Sequence, residues 1–199
     1  MPAAIGTLVL VVGPSGAGKD SIIAGATAEL GGDARFVFAR RAITRPREAG
    51  GEAHVALSTA EFAAEQTRGA FLLHWQAHGL DYGIPASLAA DRASGRIVVA
   101  NVSRTVIEAA RTRLAPVHVV QIMASRAVRA ARLAGRGRES PADIDRRLER
   151  AVAGEVGAVD NVTTLMNYEA LESAVAQFVA LLRAIASQPA ASVPLSASR

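Results

Sequence analysis

Residues 5–21 read Ile-Gly-Thr-Leu-Val-Leu-Val-Val-Gly-Pro-Ser-Gly-Ala-Gly-Lys-Asp-Ser, a short β-branched apolar run that closes on a glycine-rich turn. The run has the length and composition of a buried parallel strand, and Ile22 to Leu30 after the turn reads as an amphipathic helix. Strand, turn and helix in this order make a phosphate-binding loop. Gly13, Gly16 and Gly18 let the backbone curl with its N–H groups inward, and the helix that follows turns its positive end toward an anion. The loop Gly13-Pro14-Ser15-Gly16-Ala17-Gly18-Lys19 is therefore the expected seat of nucleotide phosphates, with Lys19 reaching the outer ones. One position departs from the pattern. Asp20 follows the lysine where a hydroxyl usually holds Mg²⁺, and Ser21 comes one place later.

A glycine-rich turn with no ligand is the competing reading. Strand, full spacing, lysine and helix agree, which decides against it. Among 22 Lys and Arg residues Lys19 is the sole lysine, in a chain that otherwise uses arginine for every cation. That exception falls where a compact ammonium fits and a planar guanidinium does not.

A chain of 199 residues accommodates one α/β domain with room for a small inserted lid. Half the residues are apolar and 20% are charged, the balance of a globular protein. The absence of cysteine excludes disulfides, thiolate metal sites and cysteine nucleophiles together. The N-terminal apolar run is short and has no basic leader, and no other run approaches membrane-spanning length, so a soluble cytoplasmic protein without a membrane partner is expected. A net charge of +4 raises nucleic acid as a partner, but aromatic content is 4% and no basic block is interleaved with aromatics. Arginines spread over several loops fit a pocket for several phosphate groups better. A homodimer is compatible with the sequence.

Further along, Arg35 to Ala39 reads as a short strand, and Arg40 to Arg47 carries four arginines beside a proline, the composition of a charged loop rather than a packed element. His54 to Leu57 is short and extended, and Ser58-Thr-Ala-Glu61 is a capping box that begins a helix to about Arg68. Phe71 to Trp75 is strand-like, Gln76 to Gly83 marks a turn or hairpin, and Pro85 suits the first turn of a helix reaching about Ala93. Ile97 to Ala100 and Val117 to Met123 are further buried strands, separated by a helix over Val106 to Leu114. Ala127 to Leu133 is a helix on which Arg126, Arg129 and Arg132 share a face. Ser140, Pro141 and Asp143 open another helix toward Glu155, Val162 to Leu165 is a last strand, and Tyr168 to Ala186 a C-terminal helix. From Ser187 onward, Ser, Ala and Pro without periodicity predict a disordered tail, 187–199. The alternation is the βαβ pattern, which puts ligands at the carboxyl ends of a mostly parallel sheet.

GPSGAGKDS, the Ile43-Thr44-Arg45 triplet, GGEAHVALS, FLLHWQAHGLDYG and RLAGRGRE, in order over about residues 5 to 185, resemble the guanylate-kinase-like P-loop family and, within it, the ribose 1,5-bisphosphate phosphokinases of phosphonate catabolism. The resemblance implies a three-layer nucleotide-kinase-like α/β fold in one domain, 1–186, with an acceptor-binding insertion near 40–95 and a small helical lid near 134–150. Guanylate kinases carry a TTRxxR motif. Thr44 and Arg45 match it, whereas Glu48 takes the second arginine's position with Arg47 beside it. Their guanine-reading glutamate and aspartate align with Leu73 and Ser103, which offer no carboxylate to guanine N–H donors, so guanylate phosphorylation is disfavoured. The KDS ending of the loop and the HGLDYG turn look like the ribose bisphosphate group.

The resemblance implies transfer of the γ-phosphoryl of ATP to ribose 1,5-bisphosphate. Lys19, Arg136 and Arg147 would be catalytic, and Gly13 to Ser21 with Arg138 would bind ATP, the three arginines closing over the transferring group. Arg45, Tyr82, Arg41 and Ser103 would bind the acceptor, with Arg40 and Arg47 as further candidates for its phosphates. Arg126 and Arg129, like Arg146 and Arg150, are expected to face solvent. For Mg²⁺ the candidates are Asp20, directly or through water, or Ser21 with Asp20 only capping the helix; Asn101 stands at a strand end where a carboxylate is usual. His54, His74, His78 and His118 lack metal-ligand spacing and are expected to pack or hydrogen-bond. Alternatives are a nucleoside monophosphate kinase, a non-catalytic guanylate-kinase-like binding module, and an ATPase or GTPase switch.

Overall fold

A computed structural model describes residues 4–46, 52–135, 145, 148, 161–168 and 170–188. Strand β1, Leu8–Val12, is buried at every position, as its unbroken apolar run requires. It lies at the centre of a five-stranded sheet, flanked by β2 (Phe36–Phe38) and β7 (Ile97–Asn101) on one side and by β8 (Val117–Met123) and β9 (Val162–Met166) on the other, in the order β2-β7-β1-β8-β9. All of its pairings are parallel. The carboxyl ends of the strands, and the turns that leave them, are thereby gathered along one edge.

Alternate residues of β1 supply two cores. Val9 and Val11 pack with Ile22, Ala26 and Leu30 of helix α1 (Lys19–Leu30) and with Phe178, Val179 and Leu182 of α6 (Leu171–Ser187). Leu8, Leu10 and Val12 face the other way, toward Val106 and Ile107 at the start of α4 (Ile107–Arg113), and toward Ile43, Leu73, Trp75, Tyr82 and Ile84. The last five belong to a second sheet of four short strands, ordered β4 (Val55–Ala56), β3 (Ala42–Ile43), β6 (Leu80–Pro85), β5 (Phe71–Ala77). Helix α2 (Thr59–Thr67) packs on β5 of this sheet, α3 (Leu88–Ala93) packs on β7 of the large one, and α5 (Arg126–Ala134) follows β8.

Two local expectations are corrected. The arginine-rich stretch 40–47 was expected to be a loop, yet Ala42 and Ile43 are buried and pair with β4 and β6, because two apolar residues suffice once neighbours supply a ladder on both sides. Pro85 closes β6 opposite Phe71 instead of opening a helix; the helix begins only at Leu88. The Ser58 capping box forms as read, with Ser58 Oγ accepting from the Glu61 amide and the Glu61 carboxylate accepting from the Ser58 amide. At the opposite edge of the large sheet, buried Arg92 donates to the carbonyls of Gly6, Leu114 and Pro116, tying α3 to the starts of β1 and β8. Among the described residues no helix is long and apolar enough to cross a membrane.

Candidate active site

The turn after β1 has the curvature that its glycines allow. Gly13 has φ 147°, and a Cβ there would lie 2.2 Å from the Ile122 carbonyl of β8; Gly18 has φ 93°, and its Cβ would meet the Asn167 amide at 2.4 Å. The loop is held from behind by side chains. Arg129 Nε donates to the Ser15 carbonyl at 3.1 Å, Asn167 Nδ2 to the Ala17 carbonyl at 2.8 Å, and a nitrogen of Arg132 to the same Ala17 oxygen at 3.4 Å. With these carbonyl oxygens engaged, what the turn offers an anion is its N–H groups and the α1 N-terminus.

Arg129 was expected to face solvent. It is 7% exposed, because the loop and the Leu148 carbonyl take its guanidinium, and burial is the main influence that lowers its pKa. Arg126, on the same helix, is exposed as expected. The three-residue spacing of these arginines showed a shared face but not which of them the loop would cover.

Lys19 Nζ folds back over the turn, donating to the Gly13 carbonyl at 2.7 Å and the Pro14 carbonyl at 3.2 Å. Desolvation lowers it to about 8, against a raising influence from Asp20; Arg41 and Arg104 lower it further and Glu52 raises it. The second sheet's charges therefore act on the lysine of the phosphate loop. Asp20, exposed in the first turn of α1, accepts through Oδ1 from Asn101 Nδ2 at 2.6 Å. Ser21 beside it is exposed. Among the described residues no group of three His, Cys, Asp or Glu side chains is placed to hold a metal ion.

Beside the second sheet, Arg41 is paired with Glu52 at both carboxylate oxygens, the Nε contact being 3.0 Å, and its guanidinium lies 5.2 Å from the Tyr82 ring centroid. Tyr82 stacks on Trp75 at 5.3 Å with planes 5° apart. His54 is buried and spans two backbone carbonyls at 3.0 Å each, that of Glu52 at Nδ1 and that of Arg45 at Nε2. It fixes the backbone on either side of the 47–51 stretch. Arg45 reaches Nδ1 of the same imidazole at 3.4 Å, while its Nε is buried with no hydrogen-bond partner among the described residues. Thr44 and Arg45 line a groove of about 630 Å³ with Ala56, Leu57, Ser58 and Thr59.

Leu73 is 1% exposed in the second core, and Ser103 Oγ accepts from the Thr105 amide at 3.3 Å, capping a short 3₁₀ turn. Neither presents a carboxylate. Arg47, Arg136, Arg138 and Arg147 lie outside the described residues. The structure thus brings Lys19, Asp20, Arg41 and Tyr82 into one neighbourhood, and adds Asn101, Glu52, His54, Arg129, Arg132 and Asn167, which sequence reasoning did not assign to the site.

No protein-family model matches the chain. It is 50% identical over 158 residues to the ribose 1,5-bisphosphate phosphokinase PhnN of Brucella melitensis, which covers 79% of this chain and 82% of that protein. The chain belongs to the ribose 1,5-bisphosphate phosphokinase family. The phosphokinase of the same name from Agrobacterium fabrum is 47% identical over 167 residues, 84% of this chain and 91% of its own. The family's sequence also occurs inside longer proteins. A bifunctional ribose 1,5-bisphosphokinase-thymidine phosphorylase of Azorhizobium caulinodans is 56% identical over 147 residues, 74% of this chain, and the matched part spans only 21% of that protein's length. Among solved structures, a guanylate kinase from Anaplasma phagocytophilum has TM-score 0.64 at 19% identity, covering 94% of this chain and 90% of its own, which shows that this chain has the guanylate-kinase-like P-loop fold.

Proposed function

We propose that the chain is an ATP-dependent kinase that phosphorylates ribose 1,5-bisphosphate, giving 5-phosphoribosyl 1-diphosphate and ADP. The observation that carries this reading is an acceptor side built of arginines, Arg45 with its Nε buried and without a partner among the described residues and Arg41 in electrostatic reach of Lys19, with no carboxylate at the Leu73 and Ser103 positions where a guanine base is read. Membership of the phosphokinase family supports it independently.

The chemistry asks the protein for charge neutralisation and alignment. An oxygen of the acceptor's 1-phosphate attacks the γ-phosphorus of ATP, the bond to the β,γ-bridging oxygen breaks, and ADP leaves with that electron pair. A phosphate monoester loses its second proton near a pKa of about 6, so the nucleophile is already an anion and no general base is needed. The turn Gly13 to Gly18 holds the ATP phosphates, Lys19 turns from the Gly13 carbonyl to their outer oxygens, and Arg45, Arg41 and Tyr82 orient the acceptor. Arg136, Arg138 and Arg147 close a lid, about 134–150, and exclude water. The region near 40–95 serves as the acceptor-binding part of a single 1–186 kinase domain, with the cytoplasm as its compartment.

The donor set fits Mg²⁺: one exposed carboxylate, Asp20, stands beside one exposed hydroxyl, Ser21, and this ion is held by one or two protein oxygens when phosphates and water complete its octahedron. Bound there, the ion would neutralise charge on the β- and γ-phosphates. Purified protein supplied with ATP, Mg²⁺ and either ribose 1,5-bisphosphate or GMP tests the reading through ADP release and ³¹P NMR of the product. A new diphosphate resonance with the sugar and none with GMP is expected. GMP turnover without sugar turnover would make the chain a guanylate kinase, and turnover of neither a binding module.

A further inference from the structure

In P-loop proteins generally, a loop hydroxyl and a carboxylate at the end of a neighbouring strand share the metal. Here the two positions carry the opposite chemistry. Asp20 occupies the loop position, and Asn101 closes β7, the strand hydrogen-bonded to β1 with Asn101 level with Val11. The two side chains meet: Asn101 Nδ2 donates to Asp20 Oδ1 at 2.6 Å. Asn101 is 7% exposed and Asp20 is exposed, so the amide is the fixed partner and the carboxylate the one it orients.

We propose that Asn101 is a positioning residue for the metal-bearing carboxylate, and that Asp20 and Asn101 are an exchanged form of the hydroxyl–carboxylate pair. An aspartate on the first turn of a helix has several rotamers of similar energy. By engaging Oδ1, the amide selects one of them and leaves Oδ2 as the oxygen for a cation brought in with the nucleotide. The exchange keeps one negative charge across the two positions, which is what the ion requires. The inference rests on the proposed ATP and metal reading, and goes beyond it in assigning a role to the strand end.

The test is calorimetric titration of ATP, without acceptor, in Mg²⁺ and in EDTA; the ratio of the two affinities isolates the metal's share from that of the loop. Asn101→Ala is expected to cut this ratio about 10-fold, the usual effect of losing a partner that orients a ligand, while leaving the EDTA affinity within about twofold. Asn101→Ser is the second variant should the alanine protein not fold, and is expected to behave in the same way. Asp20→Ser alone should lose most of the ratio, and Asp20→Ser/Asn101→Asp should recover it, with Mn²⁺ paramagnetic resonance showing one nucleotide-dependent ion again. The proposal falls if Asn101→Ala and Asn101→Ser keep the wild-type ratio, or if the double exchange binds no better in Mg²⁺ than Asp20→Ser. A wild-type ratio of one would instead overturn the metal reading beneath it, whichever acceptor the enzyme uses.

Discussion

Arg129 Nε lies 3.1 Å from the Ser15 carbonyl oxygen, so the helix after β8 carries the middle of the phosphate loop on a buried guanidinium. The same side chain reaches the Leu148 carbonyl at 3.4 Å. Arg129→Met removes both bonds and leaves two carbonyls without these donors. The expected loss is about 1–3 kcal/mol of stability in urea unfolding, with weaker ATP binding besides. An unchanged midpoint would show the loop to be self-supporting.

Gly13 and Gly18 should respond differently to alanine. At Gly13 the new Cβ meets a backbone carbonyl of the central sheet, which cannot rotate away; at Gly18 it meets the side-chain amide of Asn167, which can. Gly13→Ala is therefore expected to unfold the protein or cost well above the roughly 1–3 kcal/mol of a strained backbone alone. Gly18→Ala should fold, with a lowered melting temperature and an ATP affinity reduced at least about 10-fold by loss of the Asn167–Ala17 bond. Thermal melts and titration of each variant decide this.

Lys19, at about 8 in the absence of ligand, is poised to change its charge in an ordinary assay range. A bound polyphosphate favours the ammonium, so ATP binding near pH 8 is expected to take up a proton, and affinity should fall as the pH rises through 8. Calorimetry in buffers of different ionisation enthalpy counts that proton. The sign for folding is the reverse: the folded lysine titrates below its unfolded value of 10.5, so between 8 and 10.5 the unfolded chain holds more protons and this group's contribution to stability improves with pH. Lys19→Met should abolish both trends.

Arg45 holds a buried Nε with no partner among the described residues, an arrangement that costs stability until an anion arrives. Arg45→Met is expected to leave the unliganded protein as stable or about 1 kcal/mol more so, while raising the KM for the sugar bisphosphate by about 10-fold or more. A fall in stability together with an unchanged KM would place Arg45 in the scaffold instead.

The parts of this fold that could be read from residues are those governed by local chemistry. Leu8–Val12 is an apolar run too uniform for a half-exposed strand, Ile97–Asn101 and Val117–Met123 are predominantly β-branched and apolar, and Ser58 with Glu61 closes a cap within four residues. What escaped depends on partners distant in sequence. Ala42–Ile43 is a strand only because β4 and β6 flank it, and Arg129 is buried only because the turn after β1 needs a donor there. The phosphate loop was legible, whereas its supports were not, since an arginine or asparagine serving a carbonyl looks in sequence like any other. Tyr82 illustrates the middle case: the resemblance names it as an acceptor-binding residue, but its stack on Trp75 depends on how β5 and β6 pair.

That stack has an optical consequence. Trp75 is the chain's single tryptophan, with the Arg41 guanidinium 6.0 Å from its ring centroid and Tyr82 parallel to it. Indole emission from the unlabelled protein therefore comes wholly from this side of the second sheet. Under the proposed function, an acceptor phosphate that draws Arg41 toward it would move a cation across the face of the fluorophore, so the molecule would carry its own readout of acceptor capture.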